Sequence, residues 1–231
     1  MLEISEWFRV LAETSGINLT IVYDAYDRDR MVRGFFNTIL LSGICLVLSV
    51  VIGVVGAWLQ GSSLKWTRRI VSGYIQLFRN TPPLVQMYFF FFALGALMPR
   101  MENEWGIMEP ILSNWHWAII SLSFFAGAFN VEIFRSGIEA VPKATVEAAK
   151  SLGYTRLQAY RYVVLPLALR VCLPALNNNL VNLVKTTTLA YAIAVPEMLY
   201  VANQIWSDSL NVPEMMTFLL FAYVGLIALL V

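Results

Sequence analysis

The sequence has 231 residues, of which 58% are hydrophobic and 13% charged, with a formal net charge of +1. A soluble domain carries about 25% charged residues, so most of this surface faces something other than water and a soluble globular domain is excluded. The near-zero net charge, with no basic run interleaved with aromatics, excludes a nucleic-acid-binding surface.

The first residues, Met1 to Phe8, carry Glu3 and Glu6 where a signal peptide has a basic n-region, so no cleavable signal is expected. Residues 1–33 are expected to form an N-terminal segment of their own, ahead of a transmembrane domain over 34–231. Ile4, Trp7, Phe8 and Leu11 fall at i, i+3, i+4 and i+7, which predicts a short amphipathic helix. It either lies on the outer membrane surface or packs on the bundle.

Phe35 to Leu59 contains no charge and predicts span 1, since at ~1.5 Å per residue it crosses a hydrocarbon core of ~30 Å. Within it Ser49, Gly53 and Ala57 form a small-residue stripe that reads as a packing seam. Span 2 is expected from Trp66–Phe78 and Leu84–Met98, broken at Asn80-Thr81-Pro82-Pro83. Trp115–Phe134 predicts span 3. Tyr162–Val195 is too long for one straight crossing and holds span 4 with an interfacial start or an internal break. Met215–Val231 predicts span 5, and its apolar last residue suggests that the natural chain continues. The expected fold is all-α, a polytopic bundle of about five transmembrane helices.

The loops orient the set. Lys65, Arg68, Arg69 and Arg79 lie between spans 1 and 2, and Arg135, Lys143, Lys150, Arg156 and Arg161 between spans 3 and 4. The other two loops hold Arg100 as their one basic residue, beside Glu102, Glu104, Glu109, Glu197, Asp208 and Glu214. Basic loops stay cytoplasmic, which places the N-terminus outside. Cys45 and Cys172 lie in apolar stretches and read as packing residues.

The second basic loop, about residues 139–161, carries the most information. Pro142 suits the first turn of a helix. Lys143 and Glu147, and Glu147 and Lys150, are spaced to pair along one side. Ala144, Ala148 and Ala149 offer a small face for close approach. Gly153 suits the left-handed residue that ends a helix, and Thr155 with Gln158 fits a capping box that starts the next. The residues alone leave two readings open: a docking element, or a hairpin capping the bundle.

Charged and amide groups inside spans each need a reason, because insertion costs about 2.5–3.5 kcal/mol per charge. Glu132 lies near the end of span 3, beside Asn130. Asn178, Asn182 and Lys185 share one face of span 4, expected to look into the bundle or a subunit interface. Thr186, Thr187 and Thr188 either cap a new helix at mid-membrane or bond back to their own helix. Substrate binding and interhelical hydrogen bonding both fit these groups.

Glu147-Ala148-Ala149, then Gly153, then Leu165-Pro166 resembles the EAA motif of ABC importer permeases. Phe78-Arg79-Asn80-Thr81-Pro82-Pro83-Leu84-Val85-Gln86, Glu132-Ile133-Phe134-Arg135-Ser136-Gly137-Ile138 and Leu183-Val184-Lys185-Thr186-Thr187-Thr188-Leu189 resemble the polar amino-acid permeases of the histidine/glutamine type. The likeness runs in order from about Gly34 to Val201. Many relatives carry an acidic or amide residue where this chain has Thr186, and Pro82-Pro83 often reads Pro-Leu.

The resemblance implies a type I ABC importer permease in a bacterial inner membrane, carrying polar amino acids. Glu147, Ala148, Ala149 and Gly153 are then the coupling residues, docking on an ATP-binding subunit. A second permease chain, alike or different, two ATP-binding subunits and a substrate-binding protein are the implied partners. Substrate is expected at Glu132, Lys185, Thr186, Thr187, Asn182 and Asn178. The sequence has no G-x-x-x-x-G-K-[ST], so ATP and Mg are expected on the partner subunit, with no cofactor, metal or catalytic residue in this chain. An intramembrane enzyme is disfavoured, since the one histidine, His116, sits between Trp115 and Trp117 without a catalytic motif, and a lone channel needs no coupling loop.

Overall fold

The computed structural model describes residues 2–102 and 104–229; Met1, Asn103, Leu230 and Val231, and with them the last two positions of predicted span 5, lie outside the described residues. The chain begins with α1 (Leu2–Ser15) and a single turn, α2 (Thr20–Tyr23). Then α3 (Ala25–Gln60) runs 36 residues, about 54 Å at ~1.5 Å per residue. Asp24 starts it: its Oδ1 accepts the Tyr26 N–H at 2.8 Å. This helix crosses the expected boundary at residues 33/34 without interruption.

Next, α4 (Lys65–Asn80) ends where expected, and α5 (Pro83–Tyr88) follows after an extended Thr81. Pro82 and Pro83 lack N–H donors, so the carbonyls of Phe78 and Arg79 lose their helical partners. Gln86 bridges the gap, its Nε2 donating to Phe78 O at 2.8 Å and Thr81 O at 2.9 Å. Beyond it a π-helical stretch (Phe89–Leu94) leads into α6 (Gly95–Leu97). The link from α6 to the next helix contains a hairpin: β1 (Arg100–Glu102) pairs antiparallel with β2 (Met108–Pro110), Met101 opposite Glu109.

The second half contains α7 (Asn114–Glu139), α8 (Lys143–Ser151) and α9 (Arg156–Ala159). A π-helical turn (Tyr160–Val164) joins α9 to α10 (Leu165–Thr186), which tightens into a 3-10 helix (Thr187–Ile193). Two helices then close the described chain: α11 (Met198–Ser209), which the sequence reading did not anticipate, and α12 (Val212–Ala228). Ala25–Gln60, Asn114–Glu139 and Arg156–Ile193 are long and apolar enough to cross a membrane, while Pro83–Leu97 and Val212–Ala228 are shorter apolar helices.

The chain divides into two compact units. The first comprises residues 1–44, 87–119 and 184–231. Its core joins Ile21 and Met31 to Met198, Ala202 and Ile205 of α11 and to Met215 and Leu219 of α12. Asn18 N–H donates to Glu214 Oε1 at 2.9 Å, and Arg30 reaches Asp208 at 3.1 Å and Asp27 at 3.5 Å. On α1, Ile4 and Trp7 are exposed, so that side of the helix is not packed on the bundle.

The second unit comprises residues 45–86 and 120–183. Its core joins Ala57, Val71, Ile75, Val131, Phe134 and Cys172. The small-residue stripe of span 1 is a packing seam, as expected: a Cβ at Gly53 would come within 2.5 Å of Asn130 Cβ. Both cysteines are buried and neither is in a disulfide among the described residues; the Cys172 thiol donates to Ile133 O at 3.2 Å. Gly137 lets that region close, because a Cβ there would overlap Cys172 Sγ and lie 2.9 Å from Ala168 O. Gly137→Ala is therefore expected to destabilise the purified protein by about 1–3 kcal/mol, with Cys172→Ala in the same chain recovering part of it. An unchanged melting temperature for Gly137→Ala would contradict this packing.

Candidate functional site

The basic loop folds as two short helices meeting at Gly153. Pro142 takes the position just before α8 rather than inside its first turn, with φ −59° and ψ 137°. At the other end Gly153 has φ +87°, and Tyr154 N–H donates to Ala149 O at 3.1 Å while Gly153 N–H donates to Lys150 O at 2.9 Å. This Schellman arrangement satisfies carbonyls that a helix end leaves open, and it requires the left-handed residue that glycine supplies. The capping box is present: Gln158 N–H donates to Thr155 Oγ1 at 3.3 Å, and Thr155 N–H donates to Gln158 Oε1 at 2.9 Å.

Two expectations for this loop need correction. Ala144, Ala148 and Ala149 do not form one face: Ala149 is 5% exposed, while Ala144 and Ala148 are exposed with Glu147. Glu147 pairs with neither Lys143 nor Lys150 among the described residues. The outer side of the loop instead carries Leu152 and Leu157, 80% and 74% exposed.

In span 4 the amide that turns inward is Asn179, not Asn178. Asn179 Nδ2 donates to Asn130 Oδ1 at 2.8 Å and Ala126 O at 3.1 Å, and Asn130 Nδ2 donates to Ser49 Oγ at 3.2 Å. Asn178, Asn182 and Lys185 lie on an exposed face, so this chain's own bundle does not bury them. The threonines do not cap a new helix: Thr187 Oγ1 donates to Val184 O and Thr188 Oγ1 to Lys185 O, both at 2.7 Å. Bonding back to its own turn leaves Thr187 fully buried inside a helix that continues to Ile193. Thr186 lies half-buried at the junction.

Glu132 has a partner within the second unit. Arg79 Nη1 donates to Glu132 Oε2, and the Arg79 guanidinium lies 5.3 Å over the Phe129 ring. The two side chains keep 38% and 42% of their surface exposed. Arg79 lies in the last turn of α4, not in the loop to which its charge was assigned by sequence. Its place beside a carboxylate-bearing apolar helix was the available signal, because such a carboxylate requires a cation.

The sequence reading also missed Glu197, the N-cap of α11. Its carboxylate is fully buried and accepts from Leu199 N–H at 2.9 Å, Tyr200 N–H at 2.7 Å and Tyr223 OH at 3.1 Å. Desolvation outweighs these bonds and pushes its pKa from 4.5 up to about 7. Between these values the folded chain holds a proton that the unfolded chain has released, so the contribution of this carboxyl to stability is full below about 4.5 and is lost as pH rises through about 7. The loss amounts to roughly 3 kcal/mol. Thermal unfolding of the Glu197→Gln variant between about pH 4 and 8, which spans the change from 4.5 to about 7, should show a flatter profile than wild type; parallel profiles would contradict the buried carboxyl as the cause.

Residues 49–231 match the family described as "Binding-protein-dependent transport system inner membrane component". The chain is 29% identical over 210 residues to the probable glutamine ABC transporter permease protein GlnM of Bacillus subtilis, covering 91% of each chain. It is 35% identical to the octopine transport system permease protein OccM of Rhizobium radiobacter, covering 76% of this chain and 74% of that one. Among solved structures, an amino acid ABC transporter crystallised with histidines superposes with a TM-score of 0.77 and 27% identity, covering 88% of this chain and 90% of that one. On this match and this helical architecture, the chain belongs to the family of inner membrane components of binding-protein-dependent transport systems.

Proposed function

We propose that this chain is the permease subunit of an ABC importer that carries polar amino acids across a bacterial inner membrane. The observation that carries the reading is the loop around Gly153, a capped helix pair with Glu147 and Leu152 facing outward. Two ATP-binding subunits dock on such loops, and they hold the ATP and Mg; this chain needs no cofactor. A second permease chain, identical or different, completes the pathway, and a binding protein delivers substrate from outside. Nucleotide-driven closure of the ATP-binding pair moves the loop and rocks the spans between outward- and inward-open states.

The N-terminus lies outside and the chain crosses five times, with Pro83–Leu97 and Val212–Ala228 as the shorter crossings. A cysteine at Ser63 or Thr155 then reacts with membrane-permeant reagents alone, and one at Ser207 reacts from outside. Labelling of Ser207 from the cytoplasmic side alone overturns this orientation.

Substrate contacts fall on the exposed polar groups. In the second unit these are Glu132, Asn178 and Asn182, with Arg79 added by its pairing to Glu132. In the first unit they are Lys185 and Thr186, with Thr187 holding the 3-10 turn beside them. An amino acid is a zwitterion, and it can replace the Arg79–Glu132 pair partner for partner: carboxylate to guanidinium, ammonium to carboxylate. Thr186 provides no carboxylate for a cationic side chain, which favours neutral or acidic amino acids. Competition uptake by the reconstituted transporter tests this: Thr186→Asp should raise lysine or arginine transport relative to glutamate, and wild-type preference for arginine would overturn it.

A further inference from the structure

A wide cleft of about 1470 Å³ opens in the second unit, lined by residues from 57–72, from the end of α7 and from the Val141–Val164 stretch. Its charge is one-sided. Arg68, Arg135, Lys150 and Arg156 line it against one carboxylate, Glu139, so four cations less one anion leave +3. Glu139 is already taken, accepting from Arg135 Nε at 2.7 Å. Arg68, Lys150 and Arg156 have no carboxylate within ion-pair distance among the described residues.

Between the cations the walls are apolar. Trp58, Leu64 and Leu157 border the cleft and are 75%, 65% and 74% exposed. The cleft sits where the apolar helices α3 and α7 end, at Gln60 and Glu139. Unpaired cations around a space at the end of membrane helices repel one another, and an anion relieves that repulsion. A free inorganic anion would leave the apolar walls exposed to water, whereas an amphiphile satisfies both the cations and the walls.

We propose that this cleft holds the headgroup of an anionic phospholipid, with its acyl chains along Trp58 and Leu64. The lipid phosphate bridges the Ser62–Arg68 link to Lys150 and Arg156, and so ties the coupling loop to the end of span 1. The proposal extends the functional reading above: only the sidedness of the lipid depends on the orientation proposed there.

The test purifies the assembled transporter from membranes of phosphatidylcholine with phosphatidylglycerol at about one part in four, and quantifies retained lipid by mass spectrometry. Wild type should retain phosphatidylglycerol preferentially. Arg68→Gln and Arg156→Gln should each weaken that preference by about five-fold, and Arg68→Lys should keep most of it. Inorganic phosphate should not displace the lipid; displacement would assign the cleft to a free anion. A photo-crosslinker at Ser63 should capture lipid, and exclusive capture of the ATP-binding subunit would overturn the proposal. Equal retention by wild type and both glutamine variants would overturn it as well, whatever amino acid the transporter carries.

Discussion

Gly153→Val should abolish substrate-stimulated ATP hydrolysis by the assembled transporter while the chain still inserts in the membrane. Gly153 sits at φ +87°. A non-glycine residue in the left-handed region costs about 1–2 kcal/mol, and more when β-branched. The chain escapes that cost by leaving the conformation, which breaks the Tyr154–Ala149 and Gly153–Lys150 bonds that end α8. The angle between α8 and α9 is then lost, but little core is disturbed, because Ser151 to Gln158 are exposed throughout. The effect therefore falls on coupling rather than on folding. Gly153→Asn is the control, since asparagine tolerates this region and should keep most of the stimulation. Glu147→Lys, which reverses the charge on the exposed side of α8, should match the valine variant. Wild-type stimulation in both Gly153→Val and Glu147→Lys would reduce the loop to a structural hairpin.

Arg79→Gln and Glu132→Gln should each lower amino-acid uptake by about ten-fold or more, equivalent to ~1.4 kcal/mol. Each single change also leaves its partner charge unpaired beside an apolar helix, so each should lower thermal stability. The double variant separates the two effects. With both charges gone no unpaired ion remains, and stability should return toward wild type. Uptake should not return, because neither end of the zwitterion finds its counter-charge. Recovery of uptake along with stability would show that the pair only holds α4 against α7.

The parts of this chain that could be read in its sequence are those ruled by covalent chemistry or strict periodicity. The break at Thr81 followed from two residues without N–H donors, and the end of α8 from a glycine at a helix terminus. The Thr155–Gln158 box is a local hydrogen-bond pattern with one geometry. The span 1 seam followed from small residues four apart, and its partner Asn130 lies where a Cβ on Gly53 could not fit.

What remained hidden depended on helix phase and on distant partners. Asn177, Asn178 and Asn179 are consecutive, each about 100° from the next, and composition does not say which points inward. Only the presence of Asn130 and Ser49 opposite Asn179 decides it. The threonines after Lys185 had two local choices, and back-bonding prevailed because the apolar run to Ile193 favours a continued helix. Arg79 and Glu132 are 53 positions apart, and nothing local joins them. Helix α11 was obscured because Glu197 and Asp208 count as charges of a loop between two spans, although Met198, Val201, Ala202 and Ile205 carry a helical stripe into the core.

The most direct test of the account is uptake of labelled glutamine and glutamate into proteoliposomes holding the complete transporter. The account predicts accumulation against a gradient that needs internal ATP binding partners and external binding protein together, and that Glu147→Lys abolishes. Uptake that proceeds down a gradient without ATP, or that persists undiminished in Glu147→Lys, would contradict it.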